Sequence, residues 1–135
     1  MREILFRGKS IDNGKWKYSM SLARHATENG IITSYYIGSG YDIVKAETVG
    51  QYTGLTDKNG TKIFEGDILS YEYGDLKKRG FVFYYDRGAK FGIKENDGHN
   101  NLSLLHDTQV RAWNIKVIGN IHDNPELLKG DKSDA

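Results

Sequence analysis

Cysteine is absent from this chain of 135 residues. Disulfide frameworks, thiolate zinc sites and cysteine nucleophiles are excluded together, and a reducing compartment suits such a chain. An excess of one charge is lacking too: 19 Lys and Arg face 18 Asp and Glu, a net charge of +1. That excludes a protein which coats nucleic acid by bulk charge alone. No apolar run approaches the roughly 20 residues of a membrane-spanning helix. The opening Met1-Arg2-Glu3-Ile4-Leu5-Phe6-Arg7 is charged from its second residue, unlike a secretory signal. These absences describe a cytoplasmic, soluble domain long enough to bury a core, with no membrane association expected.

Glycine and tyrosine are plentiful, at 16 and nine residues, while proline occurs once. Asn13-Gly14, Asn29-Gly30, Asn59-Gly60 and Asp97-Gly98 stand between apolar stretches. Asn, Asp and Gly tolerate the positive φ that type I′ turns need at both central residues, so these pairs predict hairpins. Before the first pair Ile4 and Phe6 share one face and Glu3, Leu5 and Arg7 the other, and Trp16 and Tyr18 alternate with Lys15 and Lys17 after it. Residues 31–37 are β-branched and aromatic, which predicts a strand; Met20 to Ala26 fits a helical turn or a strand.

Further along, Leu69, Tyr71 and Tyr73 alternate with Ser70 and Glu72 as in a strand with one polar face. Gly74 to Gly80 reads as a charged loop, and Phe81-Val82-Phe83-Tyr84-Tyr85 as a strand covered on both faces. Short strands follow at Phe91–Ile93 and from Ile115 to Ile121, and Pro125 opens a single helical turn. About seven short strands with glycine turns predict a mainly β fold: a small antiparallel SH3-like barrel preceded by a β-hairpin lobe. The expected divisions are a lobe over 1–48, a barrel over 49–128 and a frayed polar tail over 129–135.

The most specific stretch runs from Val49 to Leu69, VGQYTGLTDKNGTKIFEGDIL. Asp57-Lys58-Asn59-Gly60 is a tight turn whose Asp side chain can bond its own backbone. Glu65-Gly66-Asp67 redirects the chain into the next strand, with Gly66 at the bend and Asp67 satisfying it. A second stretch holds Val117-Ile118-Gly119-Asn120-Ile121 and Asn124-Pro125-Glu126-Leu127. Together they resemble the YopX family of phage and prophage proteins. Its pattern is carried here by Gly50, Tyr52, Gly54, Asp57, Gly60, Glu65, Gly66 and Asp67, then by Gly119, Asn120 and Pro125. Phe6-Arg7 fit the start of that family's "FRAW" element, while Gly8-Lys9 depart from it. The resemblance covers about residues 1–128 and implies an SH3-type barrel with an added N-terminal part, a tendency to assemble into oligomers, and no established activity.

Chemistry-bearing residues yield no assembled catalytic set. Asp67 and Glu65 read better as a backbone acceptor and an exposed side chain than as an acid–base pair. His25, His99, His106 and His122 lack the helical spacing of zinc enzymes and read as scattered surface residues. Gly38-Ser39-Gly40 lacks the length and the Lys of a P-loop, and no nucleophile elbow occurs. Neither a metal nor any other cofactor is called for. The best candidate surface is Lys77-Lys78-Arg79, with Arg87 and Lys90 at the other end of the aromatic strand. Basic loops flanking aromatic strands recur where rings stack on bases and cations hold phosphates, although a solvated loop over inward-facing rings gives the same pattern. Tyr35, Tyr36, Tyr41, Tyr52, Tyr71, Tyr73, Tyr84 and Tyr85 suggest subunit contacts.

Three functions fit this reading. The first is a non-enzymatic phage or prophage accessory protein, a homo-oligomeric binding module with an unnamed protein partner. The second is a metal-independent ribonuclease of the PemK-like barrel type, although Arg79 precedes Gly80 where such enzymes carry Arg-Pro. The third is a weak single-stranded nucleic-acid binder.

Overall fold

The computed structural model describes residues 2–95, 101–103 (backbone only) and 107–129. Asp97-Gly98, His99, His106 and the tail from Gly130 lie outside the described residues. The chain divides into two compact units, with the break between Tyr52 and Thr53.

In the first unit β1 (Phe6–Lys9) pairs antiparallel with β2 (Trp16–Ser19) and with the start of β6 (Gly50–Thr56). A second sheet has the order β3 (Leu22–Ala26), β4 (Ile32–Ile37), β5 (Asp42–Val44). The residues from Leu22 onward thus resolve as strand, because β3 finds a full partner in β4. Ile37, Val44 and Tyr52 are buried here, and the Arg7 guanidinium stacks on Trp16 at 4.7 Å from the ring centre.

The hairpin turns differ from the type I′ expectation. Gly14, Gly30 and Gly60 have φ of 72°, 82° and 84°, but Asn13, Asn29 and Asn59 keep negative φ. Thr27 and Asp57 each accept from the glycine three residues on and donate to the residue beyond it. In such longer turns only the last residue needs the left-handed region, so glycine is the determining residue and Asn is incidental.

The second unit contains the end of β6, beside β7 (Lys62–Phe64), and a five-stranded antiparallel sheet. Its order is β11 (Asn101–Ser103), β10 (Lys90–Glu95), β9 (Leu76–Tyr85), β8 (Asp67–Tyr73), β12 (Lys116–Asn120). Among the described residues β11 and β12 are its two edges, so the sheet is open where a closed barrel is expected from the strand count. Helices α1 (Asp107–Ala112) and α2 (Glu126–Lys129) flank β12, and Pro125 directly precedes α2. The fold is mainly β with antiparallel pairing throughout.

Alternation explains the core. Leu69 and Tyr71 of β8, Val82 of β9 and Ile93 of β10 share one face and pack with Ile63, Val110 and Ile115. Trp113, just after α1, stacks on Tyr71 at 5.8 Å and meets Tyr73 edge-on at 5.4 Å. Burying these side chains supplies about 1.5–3 kcal/mol each.

Two expectations about β9 need correction. Gly74 to Gly80 is no loop: Tyr73 pairs with Leu76, so only Gly74-Asp75 turns the chain, with Gly74 at φ 61° as in a type II′ hairpin. The basic run is strand because the pairs Glu72–Lys77, Tyr71–Lys78 and Ser70–Arg79 continue the ladder. Nor is the aromatic segment covered on both faces. Val82 is buried, but Phe81 and Phe83 are half-buried and Tyr84 and Tyr85 exposed.

Candidate functional site

The DKNG turn and the second motif stretch meet through one carboxylate. Asp57 is 5% exposed. Its Oδ1 accepts from the N–H groups of Asn59 (2.8 Å) and Thr61 (2.9 Å), and its Oδ2 from Val117 N–H (2.9 Å). Lys58 N–H donates to the Ile115 carbonyl at 3.1 Å. The turn is thereby laced to the start of β12, which places Lys58 and Lys116 at one site. A buried carboxylate with three backbone donors is a structural group, since its acceptor capacity is largely used.

Beside that junction lies a cleft of about 360 Å³, lined by Lys58, Ser70, Tyr71, Glu72, Lys77, Lys78, Arg79, Asn114 and Lys116. Five of these are cations and one is a carboxylate. Register gives the arrangement. Lys116, Ser70 and Arg79 form one row across β12, β8 and β9, and Glu72 and Lys77 the next row, on the face opposite the core. Lys78 points the other way and pairs with Glu95 at 3.0 Å, which offsets its charge. Arg79 Nη1 donates to the Leu127 carbonyl at 2.9 Å, so the end of α2 holds its guanidinium in place. Asn114 Nδ2 donates to Glu72 Oε2 at 3.2 Å. Among the described residues no carboxylate lies within ion-pair distance of Lys58, Lys77 or Lys116. The cleft is therefore a concentrated positive site in a nearly neutral chain, and an anion is its natural occupant.

Of the candidate surface residues, the structure brings Lys77, Lys78 and Arg79 to the cleft and leaves Arg87 and Lys90 out. Arg87 sits in the short helical turn Asp86–Gly88 after β9, and Lys90 lies 6.0 Å from the centre of the Tyr85 ring. Lys58, Lys116 and Asn114 escaped sequence reasoning. The available signal was their position, one cation inside the DKNG turn and one immediately before the Val117–Asn120 stretch.

The remaining motif residues are placed as follows. Asp67 is buried and its Oδ2 accepts from Phe64 N–H at 2.7 Å; Glu65 is half-buried where an exposed side chain is expected. Gly54 and Gly66 adopt φ of 92° and 91°. Gly50 and Tyr52 are buried in the first unit, and Asn120 Oδ1 accepts from the N–H groups of His122 and Asp123. His25 is exposed, its Nδ1 3.0 Å from Thr33 Oγ1. No group of three or more His, Asp or Glu side chains is placed to hold a metal among the described residues. Of the tyrosines, Tyr52 and Tyr71 belong to cores and not to an outer surface; Tyr18, Tyr41, Tyr73, Tyr84 and Tyr85 are exposed. No helix of the described residues is long and apolar enough to cross a membrane.

Comparison with known proteins agrees with this architecture. No curated protein matches the chain. The crystal structure of protein EF1440 from Enterococcus faecalis is similar, with 25% identity and a TM-score of 0.58, covering 95% of this chain and 99% of that one. Residues 5–129 match the family described as YopX protein, and with its two characteristic stretches joined through Asp57, the chain belongs to the YopX family.

Proposed function

We propose that this protein is a non-enzymatic binding module that holds an anionic partner in the Lys58–Lys77–Arg79–Lys116 cleft and acts as a homo-oligomer. The observation that carries the reading is the charge of the cleft: four cations, Lys58, Lys77, Arg79 and Lys116, face one carboxylate, Glu72, with Lys78 already offset by Glu95. Among the described residues the lining has a hydroxyl at Ser70 but no histidine beside it to serve as its base, which favours holding over cutting. Inorganic polyphosphate tests the cleft: binding is expected to weaken at least tenfold when Lys58, Lys77 and Lys116 all become Ala, and to fade as salt rises. Equal binding by the triple variant would remove the cleft from the reading.

Support for self-association comes from the first unit. Ile31, Ile32, Tyr41 and Ile43 are exposed on and around the β3–β4–β5 sheet. Apolar side chains gathered on a small sheet suit contact with another copy. Light scattering is expected to give a mass at least twice that of the 15.3 kDa chain. A single-chain mass at high concentration would refute assembly and leave the cleft untouched. The SH3-like description of the second unit rests on its short antiparallel strands and the Gly66-Asp67 entry, and a role as a phage or prophage accessory in the host cytoplasm rests on the family.

A further inference from the structure

From the outer face of β9, we infer that the anionic partner is a single strand of nucleic acid, with phosphates in the cleft and bases against the aromatic end of the same strand. The inference rests on the binding-module reading above and names the class of its partner.

Residues two apart on a strand share a face. Lys77, Arg79, Phe81, Phe83 and Tyr85 therefore lie on one side of β9, the side away from the Leu69–Val82–Ile93 core. Lys77 and Arg79 belong to the cleft. Phe83 and Tyr85 stand edge to face, 6.3 Å between ring centres, with Tyr85 38% exposed. β10 adds cations to that end: Lys94 lies 4.9 Å from the centre of the Phe83 ring and Lys90 6.0 Å from that of Tyr85. Directly opposite Phe83 stands Gly92, which carries no side chain to crowd the ring. Tyr85 stands six positions after Arg79, roughly 20 Å along an extended strand.

A compact anion would use the cleft and leave the rings idle. An acidic peptide would use the cations, but its carboxylate side chains bring no ring with each charge to stack on Phe83 and Tyr85. A duplex keeps its bases paired and stacked inside, away from the rings. An unpaired strand uses both ends: its phosphates meet Lys58, Lys77 and Lys116, and its bases stack on Phe83 and Tyr85. Lys94 and Lys90 now cover those rings on flexible stems; each can cede a ring face to a base and take up the adjoining phosphate. The near-neutral net charge is compatible with this, because the positive charge is concentrated locally.

The test is fluorescence anisotropy with a labelled single-stranded oligonucleotide of about 12 residues, its duplex, and inorganic polyphosphate as competitor. With five lysines on phosphates the single strand is expected to bind with a log–log salt slope of about −3.5, so that affinity falls roughly 100-fold between about 50 and 200 mM salt. Changing Lys58, Lys77 and Lys116 together to Ala should remove most of that slope. Tyr85→Ala should weaken binding about tenfold without changing the slope, and Tyr85→Phe should retain it, since the ring alone stacks. Tyr85 is at the surface, so a thermal melt of Tyr85→Ala matching wild type ensures that the comparison is between folded proteins. Equal affinity for the duplex, equal competition by polyphosphate at matched charge, or an inert Tyr85→Ala overturns the inference while the anion-binding reading stands. Failure of every polyanion to bind overturns both.

Discussion

Asp57→Ala is expected to lower the stability of the second unit by about 3–5 kcal/mol, read as a shift in urea-unfolding free energy. Three N–H groups, those of Asn59, Thr61 and Val117, lose a charged acceptor at once. A hydrogen bond to a charged group contributes about 1.5–3 kcal/mol net, and a buried donor left unmatched costs about 1–3 kcal/mol. Water can reach the exposed Asn59 and Thr61, which lowers the sum. The half-buried Val117 N–H has less recourse. Asp57→Asn is expected to cost about half as much, since an amide oxygen can still serve Asn59 and Thr61 while its NH2 faces the Val117 donor. Because the same contacts set Lys58 beside Lys116, Asp57→Ala should weaken polyphosphate binding as well. A loss below about 1 kcal/mol would show that the turn holds itself without the carboxylate.

Gly80→Ala is expected to destabilise by about 2–4 kcal/mol through backbone separation. A Cβ there would lie 2.5 Å from the Lys94 carbonyl oxygen and 2.8 Å from Ile93 Cγ2. The first of these is main chain in the neighbouring strand, so relief requires β9 and β10 to part where Gly80 faces Glu95. That movement would also disturb the Lys78–Glu95 pair and the packing of Val82 on Ile93. Gly119→Ala is the informative comparison. Its Cβ would meet Asn124 Oδ1 at 2.6 Å, a side-chain atom, so rotation of Asn124 can relieve the clash. The cost is then mainly the lost Asn120 N–H bond to that oxygen, about 1 kcal/mol. Urea unfolding of the two variants should rank Gly80→Ala well above Gly119→Ala. The reverse ranking would mean that the sheet yields more easily than the Asn124 side chain.

Several elements are legible in the residues themselves. The alternation of Leu69, Tyr71 and Tyr73 and the β-branched run from Ile31 mark β8 and β4, because period-two patterning and side-chain type report a half-buried pleated surface directly. Asp57-Lys58-Asn59-Gly60 reads as a turn for a reason local to four residues, the left-handed glycine and the Asx bonding. Leu76 to Arg79 misleads for the opposite reason. A charged segment beside Gly74 has the composition of a loop, and only pairing with Ser70, Tyr71 and Glu72 makes it strand. The aromatic run misleads in the same way: Tyr84 and Tyr85 look like core, but nothing in their own sequence says that their end of β9 is uncovered.

The amino-acid sequence by itself determined the strand-rich class, the turns at Gly14, Gly30 and Gly60, the family, and the absence of thiol chemistry. Each follows from residue type and short-range spacing. Only the tertiary structure decided which cations share a site. Lys58 and Lys116 come together through hydrogen bonds between groups about sixty residues apart, and Arg79 is held by the end of α2, 48 residues on. Cross-strand register then separates Lys77 and Arg79, on the cleft face, from Lys78, committed to Glu95 on the other. Such contacts depend on loop closure and pairing over long separations, which no local pattern encodes.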